Sequence, residues 1–280
     1  MFALSFGLGA LVFGGFIFIS PWFKGLSVWT LLCSWGIKGL AAIILLYVYT
    51  SVYPSRNEAD IFKYYDDGII LSGIAAEQPA AFTRIMLGTW NGNDLVYLNR
   101  LNYWFRSYDH GIANDNRMVI RVNALLNLVT RGSYGHNLVL FLALSWIGSY
   151  WLFRLFMELS TARITPFVAA FLLPSAIFWS SGILKEALLF FALGGFLYSL
   201  FQLYQRVRLE FLFLGMLSLF MLSFLKIYIL IALLPLVVIT WIWARTKSWR
   251  ILCICVIGFL SLFMLCHVLF FPEWSMLSTL

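Results

Sequence analysis

The sequence predicts an all-α fold: a polytopic helical membrane protein of about eight transmembrane helices, with one long, partly helical outer loop. Three observations carry this. Of 280 residues, 62% are hydrophobic and only 11% are charged, and the mean hydropathy is +0.90; a soluble domain carries roughly 25% charged residues. Apolar runs recur at about the 20-residue length that a helical span requires. Residues 53–136 interrupt that pattern with eight basic and eight acidic residues.

Taken in order, the expected spans are Phe2–Ser20, Val28–Val52, Asn137–Phe156, Thr165–Gly182, Ala187–Gln205, Phe211–Leu225, Tyr228–Ala244 and Ile251–Phe271. The first has no basic leader and no small-residue cleavage site, so it reads as a retained helix and not a signal peptide. The second carries Lys38 near its middle, either facing the bundle or close to an interface. The sixth is short. The whole chain, 1–280, reads as a single membrane domain, and residues 53–136 form the long non-cytoplasmic loop between the second and third spans.

Orientation follows from the loops. Alternation puts Lys24, Arg154, Arg163, Arg206, Arg208, Arg245, Lys247 and Arg250 on one side, and only Lys185 and Lys226 in the short loops of the other. Basic residues concentrate in short cytoplasmic loops. Both termini and residues 53–136 are therefore expected outside. The pI near 9.3 reflects this asymmetry, and no nucleic-acid partner is implied. Cys33, Cys253, Cys255 and Cys266 all lie within apolar runs and do not form a metal set.

The outer loop reads as membrane-lying helices. Ile61, Tyr65, Ile69 and Gly73 recur at intervals of four. In Arg117–Arg131, the residues Val119, Val122, Leu126 and Val129 form an apolar stripe. Asn91-Gly92-Asn93 and Asp109-His110-Gly111 are turn signals.

The chemistry concentrates at the start of this loop. Asn57 to Gly68 holds Glu58, Asp60, Asp66 and Asp67, four of the twelve acidic residues. Carboxylates beside hydrocarbon are costly and mark candidate sites. Asp60, Lys63 and Asp67 share a helical face, with Tyr64 adjacent; the Asp60–Lys63 spacing equally suits an ordinary surface pair. Arg117 and Arg121, one turn apart, suit snorkelling or a bidentate phosphate clamp. Ser180-Ser181-Gly182 precedes Lys185-Glu186, a junction suited to an anion or to a self-neutralising pair at a helix end. His110, His136 and His267 match no metal spacing. There is no nucleotide loop, metalloprotease helix or nucleophile elbow. No cofactor is implied, and a divalent cation is left open.

The segment Glu58-Ala59-Asp60-Ile61-Phe62-Lys63-Tyr64-Tyr65, an outward acid among aromatics after a membrane helix, resembles the polytopic C-type (GT-C-like) membrane glycosyltransferases. Pro174 to Glu186 resembles a segment of bacterial envelope proteins of that type. Here the acidic loop follows the second span and not the first, no paired Asp-Glu stands at the centre of the motif, and the sequence stops just past the last expected span without the soluble terminal domain of many members, so the resemblance is to a short, truncated or inactive member. The resemblance implies transfer of a sugar from a polyprenyl-phosphate lipid donor to an envelope glycan, lipid or protein acceptor, at the outer face of a bacterial cytoplasmic (inner) membrane. It implies Asp60 as catalytic base, with Asp66 and Asp67 as alternates. It implies Arg117, Arg121 and Lys185 as donor-phosphate ligands, and Tyr64, Glu186 and Lys226 as supporting groups. Two other classes stay open: a lipid-linked polysaccharide polymerase or ligase, and a non-catalytic transporter or assembly subunit.

Overall fold

The structure of the protein, a computed structural model, describes residues 2–20, 23, 26–53, 55–105, 116–162, 164–246, 248 and 257–258. It is all-helical, with no strand among the described residues. The chain divides into two compact units, residues 1–226 and 227–280. The break falls at Lys226, whose backbone (φ −152°, ψ 80°) ends a helix.

The first unit opens with α1 (Phe2–Ile19) and α2 (Val28–Ser51). Helix α1 is apolar all round and buries only Ile17, leaving Leu11, Val12 and Ile19 more than 70% exposed, as suits a helix in lipid. Helix α2 starts at Ser27, whose hydroxyl accepts from the Thr30 N–H at 3.2 Å, satisfying one of the helix's free donors. Next come α3 (Asp60–Glu77), α4 (Pro79–Leu87), α5 (Leu95–Leu98) and α6 (Asn116–Thr130). Then follow α7 (Tyr134–Leu159), α8 (Ile164–Phe171), α9 (Pro174–Trp179), α10 (Lys185–Gln205) and α11 (Leu209–Leu225). The second unit holds α12 (Ile227–Thr246), with Pro235 inside it.

Four of these helices, α1, α2, α7 and α10, are long and apolar enough to cross a membrane. This is fewer than the eight expected. Helix α11 has 17 residues, and Ile251–Phe271 lies largely outside the described residues. The span expected over Thr165–Gly182 is broken into α8 and α9. Pro174 offers no backbone N–H, and it holds the preceding Leu173 extended (φ −67°, ψ 114°).

Directions follow from contacts. Phe2 meets Tyr134, and Phe13 meets Trp146, so α1 and α7 run parallel. Ser145 Oγ donates to Ser180 O near the start of α10, Trp151 packs on Phe191, and Arg154 shares a cavity with Tyr198. Helices α7 and α10 are therefore parallel too. They meet backbone to backbone: a Cβ on Gly148 would collide with Phe190, and one on Gly194 with Gly148. Helix α11 returns antiparallel to α10, with Phe211 against Tyr198 and Lys226 against Glu186. Because α7 and α10 run the same way, residues 160–184 must climb back along them, and they do so as the broken α8–α9 segment.

Helices α3 to α6 form a polar-aromatic layer at one end of this bundle. The expected helices are present as α3 and α6, and of the apolar stripe on α6 Val119 is fully buried, Val122 and Leu126 are half-buried and the helix packs mainly through an adjoining face. Val129 is 81% exposed, while Asn116, Val119, Ile120, Asn123, Ala124 and Asn127 are buried. The reason is close packing on α3: a Cβ at Gly68 would overlap that of Asn123. Asn137 of α7 donates to Asn127 Oδ1 at 2.8 Å and Asn123 Oδ1 at 3.3 Å, and Thr130 Oγ1 donates to Asn137 Oδ1 at 2.5 Å. A buried amide chain thus joins layer to bundle, where an unpaired amide would cost 1–3 kcal/mol or so. Arg131 and Gly132, both at positive φ, make the turn between α6 and α7. Tyr65 clasps that turn by donating to Gly132 O at 2.5 Å.

Candidate functional site

The layer end of the bundle gathers charge from three elements. Helix α2 finishes with Tyr49 stacked on Tyr53 at 4.8 Å. Asp60 opens α3, where a carboxylate complements the positive helix terminus. Its Oδ1 accepts from Lys63 Nζ at 3.0 Å, and Lys63 lies 5.6 Å from the centre of the Tyr103 ring. Lys185 opens α10 with its ammonium 5.5 Å over the Tyr64 ring. The adjacent Glu186 accepts from Lys226 Nζ at 3.1 Å. The Tyr49 hydroxyl lies within electrostatic reach of both Asp60 and Glu186. Asp60, Lys63, Lys185, Glu186 and Lys226 thus form one zone rimmed by tyrosines, in which the Asp60 side chain is 48% exposed and Lys63 24%. Among the described residues no group of three or more His, Cys, Asp or Glu is placed to hold a metal.

The alternates to Asp60 are committed elsewhere. Asp66 takes a two-pronged ion pair from Arg56, Nε at 2.9 Å and Nη2 at 2.7 Å, and Arg56 also covers the Phe62 ring at 4.1 Å. Asp67 is fully buried and accepts the backbone N–H groups of Asn102 and Tyr103 at 2.9 and 2.8 Å. Burial pushes its carboxyl up to about 6; the two N–H groups pull the other way, and neighbouring Asp66 adds to the rise. This carboxylate fastens the loop after α5 to α3.

Arg117 and Arg121 are brought together, but their faces are turned inward. Arg117 Nε donates to Trp104 O at 3.2 Å, and its guanidinium lies 5.6 Å from the Trp104 and Phe105 rings. Arg121 donates to Ile85 O through Nε at 3.2 Å and Nη2 at 3.0 Å, and lies 5.1 Å from the Trp104 ring. Burial, and then the charge of Arg117, lowers the Arg121 guanidinium to about 10. The pair clamps α4 and the fully buried Trp104 onto α6. Of the residues expected to hold phosphate, only Lys185 stands beside Asp60's zone. Lys63, expected as a plain partner of Asp60, and Tyr103 join it.

A second polar feature lies inside the bundle. Lys38 is only 5% exposed and donates to Ser180 Oγ at 2.7 Å. Ser180 sits just past α9 and passes its own proton to Ala176 O at 2.6 Å. Ser34, Ser149 and Ser180 line the small space around the amine. Among the described residues no carboxylate pairs with Lys38. Sequence marked Lys38 and the serine junction separately but gave no signal that they meet.

Two cavities of about 570 and 560 Å³ open elsewhere, one between α1 and α7 and the other between α7, α10 and α11, and neither is lined by Asp60. The chain matches no family model, no curated protein and no solved structure.

Proposed function

We propose that the protein is a membrane glycosyltransferase acting on a polyprenyl-phosphate-type sugar donor, with chemistry at the layer end of the bundle. The observation that carries this reading is the convergence of Asp60, Lys63 and Lys185 from α3 and α10 in one half-exposed, tyrosine-rimmed zone. Transfer from a lipid-phosphate donor needs a base for the acceptor hydroxyl and positive charge for the departing phosphate. Asp60 supplies the carboxylate. Lys63 and Lys185 supply the charge, in place of Arg117 and Arg121, whose guanidiniums hold the layer together. Lys226 keeps Glu186 oriented at the start of α10. Donor binding draws Lys63 from Asp60 to phosphate and leaves the carboxylate to take the acceptor proton.

The test uses purified, reconstituted protein and a polyprenyl-phosphate sugar pool, scored for binding and turnover. Asp60→Asn is expected to lower turnover by roughly 10²–10⁴-fold, the usual loss for one general base, with donor binding kept. Lys185→Met is expected to weaken donor binding. Full turnover by Asp60→Asn sinks the assignment, and absence of any lipid-phosphate binding sinks the enzyme reading.

One observation favours a second reading. Lys38 touches the broken α8–α9 segment within the bundle, and interrupted helices with interior charge are a hallmark of transporters. Under that reading Lys38→Met stops substrate movement across a vesicle membrane, and Asp60→Asn does not.

A further inference from the structure

At the end of the bundle away from the layer, two cavities adjoin and share part of their lining. One, of about 560 Å³, is walled by apolar and aromatic side chains including Phe16, Phe23, Trp151, Phe191 and Leu214. The other, of about 320 Å³, is polar and is lined by Arg154, Arg206, Arg208, Gln202 and Gln205, with Glu158. Arg154, Tyr198 and Phe211 line both. The shared residues set the two side by side, as a recess with an oily well next to a basic mouth.

We infer that this recess is a binding site for one anionic phospholipid, with an acyl chain in the aromatic well and the phosphodiester at the arginine mouth. Position supports it. Arg206 caps the C-terminus of α10 and Arg208 the N-terminus of α11, so the mouth lies where membrane helices end and headgroups begin. Charge supports it as well. Three arginines face two carboxylates, Glu158 and Glu210, and Arg208 Nη1 reaches Glu210 Oε1 at 3.3 Å. Arg154 lies beside the Tyr150 hydroxyl, 3.4 Å away, and within reach of Glu158. Arg206 is exposed and has no ion pair among the described residues. The net positive mouth favours a phosphate without a compensating ammonium. A choline headgroup would bring its own cation towards the arginines. The site lies at the opposite end from Asp60 and does not depend on the glycosyltransferase reading.

The experiment is native mass spectrometry of the full chain in detergent, titrated with phosphatidylglycerol and phosphatidylcholine of identical acyl chains, with inorganic phosphate as a third probe. Wild type is expected to retain phosphatidylglycerol preferentially. One basic side chain facing an anionic lipid is worth on the order of fivefold in affinity, so Arg206→Gln/Arg208→Gln should cut the preference by about 20- to 30-fold. Both side chains are exposed, so the double variant is expected to fold. Leu214→Trp, which fills the well, should lose both lipids. Equal retention of the two lipids by wild type, an unchanged preference in the double variant, or protection by phosphate alone would each overturn the proposal.

Discussion

Lys38 and Ser180 are 142 positions apart in the chain, and their side-chain atoms are 2.7 Å apart in the bundle. The contact ties the middle of a long, regular helix to the end of a broken one. An amine there is costly, by about 2.5–3.5 kcal/mol at a bilayer centre, and one hydroxyl offsets only part of that.

Lys38→Met keeps the length of the side chain and removes the amine. The expected result is a thermal midpoint in detergent that is unchanged or raised, since trading a buried charge for an apolar group of similar volume is often neutral or stabilising. Lys38→Glu puts a carboxylate beside Ser180 and is expected to lower it. A fall in the midpoint with methionine would mean that the amine stabilises the bundle.

Asp67 makes the layer sensitive to pH. Its folded carboxyl titrates near 6 because burial raises it above the ordinary aspartate value of 3.8. The folded state therefore binds the proton more tightly than the unfolded one. The stability this contributes is fully present below about pH 4 and is lost as pH rises to about 6, an effect of order 2–3 kcal/mol. Unfolding midpoints measured between those values should fall with rising pH in wild type and stay flatter in Asp67→Asn. A wild-type profile that rises over that window refutes the assignment.

Arg121→Lys keeps a positive charge but loses the two-pronged grip on Ile85 O and the stacking on Trp104. Expected is a loss of about 1–3 kcal/mol, with faster proteolysis between residues 88 and 105 and unchanged affinity for lipid phosphate. A selective loss of phosphate affinity would restore Arg121 to the donor site.

Gly194→Ala places a methyl against the backbone of Gly148 and should cost more than about 2 kcal/mol, the usual range for overpacking being 1–3. Gly7→Ala meets nothing within 4 Å and is expected to be neutral or, through helix propensity, stabilising by up to about 1 kcal/mol. Equal expression and equal midpoints for the two variants would contradict the close helix contact.

Apolar run length located α1, α2, α7 and α10, because a span's requirement is local and additive along the chain. Four-residue spacing found α3. The same logic found α6 and its stripe but not the face that packs: that face includes Asn123 and Asn127, which accept from Asn137 of another helix, and single-chain periodicity carries no record of such partners. Asp60 stood out as one acid of a cluster set among aromatics after an apolar run, and its place at the very start of α3 came only with the structure. The arginines were legible as a pair, but the carbonyls they hold, on Ile85 near the end of α4 and on Trp104 after α5, belong to other elements whose approach to α6 the sequence does not reveal. Pro174 was visible, and what it interrupts was not, because the return of residues 160–184 is forced only once α7 and α10 are known to run the same way.

The glycine contact between α7 and α10 divides the bundle mechanically. Two helices whose backbones touch at Gly148 and Gly194 have no side-chain cushion between them, and sliding one along the other would drive Phe190 and Phe191 into a peptide group. They behave as one stiff spar. Any relative movement within the bundle therefore falls to the pieces packed on that spar: the jointed α8–α9 segment, held by the bonds of Lys38 and Ser145 to Ser180 and by Phe171 against Trp146 and Phe153, and the layer, held by amides and arginines. A cross-link between α7 and α10 is therefore expected to leave such movement free, and one between α2 and α9 to block it.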